Sequence, residues 1–372
     1  MKRHVVTTAA AALLALAATS AQAEIKIATA GPMTGQYASF GEQMQKGAQA
    51  AVRDINEAGG VLGQKLVLSI GDDRCDPKEA VAVANKFVNE GIQFVAGHFC
   101  SGSSIPASAV YHEEGIIAMS PASTNPKLTE QGFENVFRTC GRDDQQGDYA
   151  GAWLSKHYKG KKVAFAHDKQ AYSKGLADLT LAAFEKAGGK AVLYETVNPG
   201  ERDYSAFVTK LKAANIDALY YGGYHTELGL IARQMREQGL NAQILSGDAL
   251  NTLEFWSITG DAGEGLLFTF APDPRAKPEA KKIVDRFKAE GYDPEGYTLY
   301  TYAAIQIWAA AANKAGSLDA EKVEAALHSG PFSSVIGDLS FDDKGDRTTA
   351  DYTWYEWTKG NYVEVGDVAP KN

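Results

Sequence analysis

The sequence lacks the motifs that mark the commonest enzyme classes. It has no G-x-S-x-G elbow, no Walker loop, no G-x-G-x-x-G and no H-E-x-x-H. Strained-serine, phosphate-loop, dinucleotide and zinc-peptidase chemistries are therefore without their usual groundwork. Basic charge is also scarce: 37 Lys and Arg stand against 46 Asp and Glu, a net charge of −9. No basic stripe remains to neutralise phosphates, so nucleic acid is not an expected partner. Cysteine is limited to Cys75, Cys100 and Cys140, and no pair has the C-x2-C spacing of a metal site. Beyond the N-terminus, no stretch is long and uncharged enough to span a bilayer.

What the N-terminus does have is a three-part leader. Lys2, Arg3 and His4 are basic, Val5 to Ala18 is apolar, and Ala21-Gln22-Ala23 is a small-x-small cleavage signature. The apolar run is too short for a membrane span and fits a secretory signal peptide cleaved after Ala23. No cysteine follows it, so no lipid anchor is indicated. The chain from Glu24 to Asn372 exceeds the size at which one core stops growing, so two domains are expected. An exported chain meets an oxidising compartment. Cys75 and Cys100 enclose a short loop, and a bridge there would stabilise by about 3 kcal/mol on the chain-entropy model. Cys140 is then either buried and inert or a competing partner.

Short β-rich runs alternate with amphipathic helical runs. Strands are expected at 25–30, 66–70, 93–96 and 116–119, with helices at 41–58, 77–90 and 101–114 between them. The pattern restarts after Arg142, with helices at 149–158, 173–187 and 204–214, and another ending at Glu237. Strands there are expected at 162–166, 191–197, 218–221, 243–245 and 265–270. Helices near 278–290, 299–315 and 319–327 precede β-rich segments at 338–341 and 352–362. Such alternation implies parallel sheets with right-handed crossovers, and two series imply two doubly wound α/β lobes. Ligands in such sheets bind beyond the carboxyl ends of strands.

Three strand ends are rich in small and polar groups. Gly97 to Ser104 follows a strand and opens a helix, so its free N–H groups and serine hydroxyls suit a carboxylate, although Ser101 also reads as a simple helix cap. Ser120 to Pro126 is an extended proline-bearing stretch that could leave backbone groups facing a ligand, but from local sequence alone it reads better as an ordinary loop. Tyr220 to His225 and Leu245 to Asp248 end two further strands. Asp248 is either a turn residue or the partner of an ammonium, and His225 reads as a helix-start residue. Cys100-Ser101 is explained more simply by a disulfide than by a nucleophile. His112-Glu113-Glu114 reads as a solvated helical face. Asp342 to Asp346 reads as a β-turn, because a calcium loop needs a liganding Glu.

Several longer runs carry a resemblance. They are 72–77 (DDRCDP), 80–86 (AVAVANK), 97–101 (GHFCS), 167–170 (HDKQ) and 220–225 (YYGGYH). On these the chain resembles the periplasmic leucine/isoleucine/valine-binding proteins of ABC transporters, over essentially its whole length after the leader. The resemblance implies a type I periplasmic binding-protein clamshell with a three-stranded hinge. Lobe one would take 24–142 plus 272–349, and lobe two 143–271 plus 350–372. It implies a Cys75–Cys100 disulfide, a carboxylate-binding Ser101, and backbone and hydroxyl contacts from Ala122 and Thr124. It implies Tyr172 and Tyr224 closing from lobe two, with Asp248 as the acidic amine partner. Phe40 and Phe99 stand where the family usually has Tyr and Leu, and Asp248 where it usually has Glu. The ligand would be leucine, isoleucine, valine or a related small neutral amino acid, with alanine, proline or γ-aminobutyrate as alternatives. No enzyme activity, cofactor or metal is implied. The expected partner is an inner-membrane ABC permease, or a receptor if the protein is a sensor, and the protein is expected to be a periplasmic monomer.

Overall fold

The computed structural model describes residues 24–367. The leader and its cleavage point, and the last five residues of the expected second lobe, lie outside them.

The first lobe is a five-stranded parallel sheet. Its strands are β1 (Ile25–Gly31), β2 (Leu66–Asp72), β3 (Phe94–Gly97), β4 (Ile117–Ser120) and β5 (Val136–Arg138), in the order β2-β1-β3-β4-β5. Helices α1 (Ala38–Glu57), α2 (Pro77–Glu90) and α3 (Ser101–Glu113) connect the first four strands. Helix α2 shows why the local reading succeeds. Asp76 caps it by accepting from Lys78 N and Glu79 N, Pro77 opens it, and Gly91 in the left-handed region ends it.

The second lobe begins at α4 (Asp143–His157) and continues β6 (Val163–His167), α5 (Ala171–Lys186), β7 (Ala191–Thr196), α6 (Ser205–Ala214), β8 (Ala218–Gly222), α7 (His225–Glu237), β9 (Gln243–Ser246), α8 (Glu254–Thr259) and β10 (Leu267–Phe270). The chain then returns to lobe one through α9 (Lys281–Ala289), α10 (Thr298–Ala315), α11 (Ala320–His328) and the hairpin β11 (Phe332–Ser334)–β12 (Gly337–Leu339). Arg286 of α9 pairs with Asp54 of α1, and Trp308 of α10 stacks on Phe94 of β3 at 4.8 Å. A third passage brings β13 (Thr353–Thr358) and β14 (Asn361–Glu364) to the edge of the second sheet, ordered β14-β13-β10-β9-β8-β6-β7.

Four details depart from the sequence reading. The β-rich segment at 352–362 is a hairpin that turns at Lys359-Gly360, both at positive φ, and pairs antiparallel with β10, so the second sheet is not purely parallel as expected. Strand β5 went unanticipated because three residues show no periodicity. Helix α4 starts six residues early, where Asp143 and Asp144 place negative charge at its N-terminus. Helix α1 starts at Ala38, so Phe40 lies on the helix and not on the preceding loop.

The expected disulfide joins Cys75 and Cys100, with Cα atoms 5.5 Å apart. Cys140 is buried, and burial pushes its thiol up to about 12, so it is inert and does not compete. His112, Glu113 and Glu114 are exposed. The turn after Asp342 does more than reverse the chain: its Asp346 is buried and pairs with Arg138 Nε at 2.5 Å and Arg142 Nη1 at 2.6 Å, where the chain first crosses between lobes.

Candidate functional site: the cleft between the lobes

On the lobe-one side, two strand ends are tied into one scaffold. Gly97 ends β3 where a Cβ would lie 2.6 Å from the Ala30 carbonyl, so only glycine fits. The next residue, His98, is buried between Asp73 (Nδ1 to Oδ2, 2.6 Å) and Tyr111 (Nε2 to OH, 2.8 Å). Its carbonyl accepts from Ser104 Oγ at 3.1 Å and Ser120 Oγ at 2.6 Å. Ser120 Oγ in turn accepts from Ser123 N at 2.9 Å, while Ser123 Oγ donates to the Phe99 carbonyl at 2.8 Å. This network fixes the loop of Ser101 against the loop of Ala122 and Thr124.

Ser101 is the first residue of α3, where N–H groups lack intrahelical partners and the helix dipole favours an anion. Its hydroxyl is buried and, among the described residues, accepts from Asn125 N at 3.3 Å. The Thr124 hydroxyl is buried without a well-formed hydrogen bond, beside the Asp143 carboxyl.

Lobe two brings three side chains to the same place. Tyr172 lies in the first turn of α5, Tyr224 caps α7, and Asp248 follows β9. The Tyr172 hydroxyl donates to Asp248 Oδ1 at 2.9 Å, and the Tyr172 and Tyr224 rings lie 5.1 Å apart. Phe99, Ser101, Ala122, Tyr172, Tyr224 and Asp248 line one small cavity, together with Ala249. Thr124 is not among the lining residues; it lies two positions beyond Ala122, and its carbonyl accepts from Asp143 N at 2.9 Å. Phe40 stands behind the cavity, stacked on Phe99 at 4.4 Å. His225 opens α7 and faces Glu254 at 2.9 Å, as a helix-start residue.

The cavity has two electrostatic ends. Burial raises the Asp248 carboxyl above its ordinary range, while the Tyr297 and Tyr172 hydroxyls pull it back down. Burial also raises Asp143, and the nearby Asp248 adds to that shift. Arg138 opposes the shift at Asp143, but the buried Asp248 has no cation beside it among the lining residues, which makes its end a place for an ammonium. The other end offers the N-terminal turn of α3 and the Ser101 hydroxyl, which suit a carboxylate. Cys100 is held in the disulfide and offers no nucleophile.

Sequence reasoning missed Tyr297, Asp143, Ala249 and Tyr37. Tyr297 precedes α10 and reaches back 49 residues to donate to Asp248. Its ring meets Phe99 edge-on at 5.2 Å. Tyr37 approaches from lobe one, accepting from Gln170 Nε2 at 2.8 Å and packing on Tyr224 at 4.4 Å. Nothing local marks either tyrosine. The one available signal was the strand-end rule, and both lie on helix entrances of lobe one.

Two α/β lobes, three passages between them and a small cavity with an acidic end and a helix N-terminus define a solute-binding clamshell. The comparisons agree. The chain belongs to the periplasmic binding protein family, whose model matches residues 24–361. It is 50% identical over 351 residues to Leu/Ile/Val-binding protein homolog 1 of Brucella melitensis, covering 93% of this chain and 95% of that one. It is 43% identical over 353 residues to the leucine-, isoleucine-, valine-, threonine- and alanine-binding protein of Pseudomonas aeruginosa, covering 94% and 95%. The branched-chain amino acid transporter substrate-binding protein of Streptococcus pneumoniae, solved with isoleucine, superposes with a TM-score of 0.82 at 27% identity, covering 92% of this chain and all of that one.

Proposed function

We propose that this protein is the periplasmic solute-binding component of an ABC-type amino-acid uptake system, holding leucine, isoleucine, valine or a related small neutral amino acid between its lobes. One observation carries the reading: Ser101 at a helix N-terminus and the buried Asp248 line the same cavity from opposite lobes. Burying a zwitterion is costly unless both charges are met. Ser101 and the Thr124 amide take the ligand carboxylate. The Ala122 carbonyl, the Thr124 hydroxyl and Asp248 take its ammonium. Tyr172 and Tyr224 cover it as lobe two swings in, so ligand shifts the hinge equilibrium toward closure. In this reading lobe one spans 24–142 plus 272–349 and lobe two the remainder after the leader. A monomeric protein, freed of its leader after Ala23, delivers its ligand to an inner-membrane permease.

The stacked Phe40 and Phe99 rings, with Tyr297 edge-on to Phe99, favour the smaller side chains within this class, as in alanine or proline, and leave the linear γ-aminobutyrate as a candidate. A thermal-shift screen of the mature protein against all amino acids and γ-aminobutyrate tests both points, because a ligand raises the melting temperature by mass action. No shift with any of them would overturn the proposal.

A further inference from the structure

Beside the ligand cavity, a second junction joins the two lobes and meets the cavity's lining at Asp248. The half-buried Glu295 precedes α10, which packs on the first sheet. Its carboxylate accepts from Leu253 N at 3.0 Å and from Thr252 Oγ1 at 3.1 Å. Those two residues lie between Asp248 and α8, on the second lobe. The next residue, Gly296, sits at φ +56°, and a Cβ there would fall 2.3 Å from Gln43 Oε1 and 2.8 Å from the Asn251 carbonyl. The backbones of the two lobes therefore meet as closely as a side chain-free residue allows. Gln43 Oε1 holds this turn by accepting from Tyr297 N at 2.9 Å. Residues 295–297 thus grip residues 248–253 at three successive points: Glu295 on Thr252 and Leu253, Gly296 against Asn251, and Tyr297 on Asp248.

We propose that Glu295 is a positioning residue for solute capture, a clasp that holds the lobes closed by binding the Thr252 hydroxyl and the Leu253 amide. The inference rests on the solute-capture reading above. Opening the cleft separates these partners and returns the carboxylate to water. The groups facing it are Arg275, itself paired with Asp273 and Asp293, and the Tyr292 and Tyr362 rings. In the closed form burial, with Asp293 adding, pushes the Glu295 carboxyl up to about 7 against the Leu253, Thr252 and Arg275 contributions. A carboxyl raised only in the closed form takes up a proton on closing, so closure is favoured as pH falls through that value.

The test is calorimetric titration of the wild type, Glu295→Ala and Glu295→Gln with the amino acid that ranks first in the thermal-shift screen, at pH 8 and pH 5.5. Melting of each ligand-free protein is recorded alongside. Glu295→Ala is expected to bind about tenfold more weakly at pH 5.5, having lost the acceptor for two donors, with an unchanged ligand-free melting temperature. Glu295→Gln keeps an acceptor oxygen and is expected to bind at least as tightly as wild type at pH 8. It should also lose the gain of about threefold or more that the wild type shows on going to pH 5.5. Glu295→Ala affinity within twofold of wild type, a pH response retained in Glu295→Gln, or an equal loss of ligand-free stability would each overturn the clasp. A wild type that binds no amino acid would instead overturn the solute-capture reading, and the clasp with it.

Discussion

The Tyr297 hydroxyl of lobe one donates to the Asp248 carboxylate of lobe two, and the Tyr172 hydroxyl donates to its other oxygen. The acid that would meet a ligand ammonium is thus held in place by one phenol from each side of the cleft. The two hydroxyls fix how far its carboxylate reaches.

Replacing Asp248 with Asn removes the charge and keeps an acceptor oxygen for one of the two phenols. Binding is expected to weaken by about 100-fold or more, the cost of leaving a buried ammonium without its counter-ion, roughly 3 kcal/mol. Isothermal titration calorimetry measures it, and an affinity close to wild type would sink the assignment. Tyr297→Phe keeps the ring against Phe99 and removes only the hydroxyl, so a milder loss of about tenfold is expected.

If the proposed ligand sits in this cavity, the Phe40–Phe99 stack sets its selectivity. Phe99→Leu removes the ring stacked on Phe40 and opens space at the side-chain end of the cavity. The ratio of leucine to alanine affinity is expected to rise by about tenfold, as a few buried methylene groups are accommodated. A ratio that stays put in competition binding would place the side chain elsewhere.

How much of this was legible in advance follows from distance along the chain. Helix α2 was read to the residue because Asp76, Pro77 and Gly91 write its ends locally. The loops of Ser101, Ala122 and Asp248 were found because each directly follows an apolar strand. Tyr297 and Glu295 were invisible: they sit in an unremarkable turn before α10, and only the return of the chain to lobe one sets them against residues 248–253. The β-rich segment at 352–362 does not show its antiparallel hairpin β13–β14 in advance, because Lys359-Gly360 is a weak turn signal beside a run rich in aromatics.

Asp168, at the end of β6, is pushed up to about 6 by burial, against hydrogen bonds from Ser173 and Gln170. A carboxyl raised in the folded state adds stability at low pH that is lost as pH rises through its folded value. Asp168→Asn is therefore expected to raise the melting temperature at pH 7.5 and to leave it nearly unchanged at pH 4. The gain at the higher pH is on the order of 2 kcal/mol. Thermal melts across pH 4 to 8 follow it, and a gain that is equal at both ends would contradict the burial argument.

Removing the Cys75–Cys100 bridge in the double variant Cys75→Ala/Cys100→Ala is expected to cost about 3 kcal/mol in denaturant unfolding. The bridge ties the loop of Asp73, which holds His98, to the start of α3. Cys140 should stay unreactive to thiol reagents until the chain unfolds, because it is buried and poorly ionised. Rapid labelling of the native protein at that position would show the interior of the hinge to be open.

The three passages between lobes also set the order in which the protein can be completed. Helix α10, at 298–315, covers a first sheet whose strands are finished by residue 138, and β13, at 353–358, pairs with β10 of a second sheet whose parallel strands are finished by residue 270. Neither half is a continuous piece of chain. As the chain emerges from its N-terminus, each nascent core stays partly uncovered until nearly all of the polypeptide is present. Truncation near residue 300 should therefore leave two incomplete lobes that aggregate, instead of one folded lobe and one loose tail.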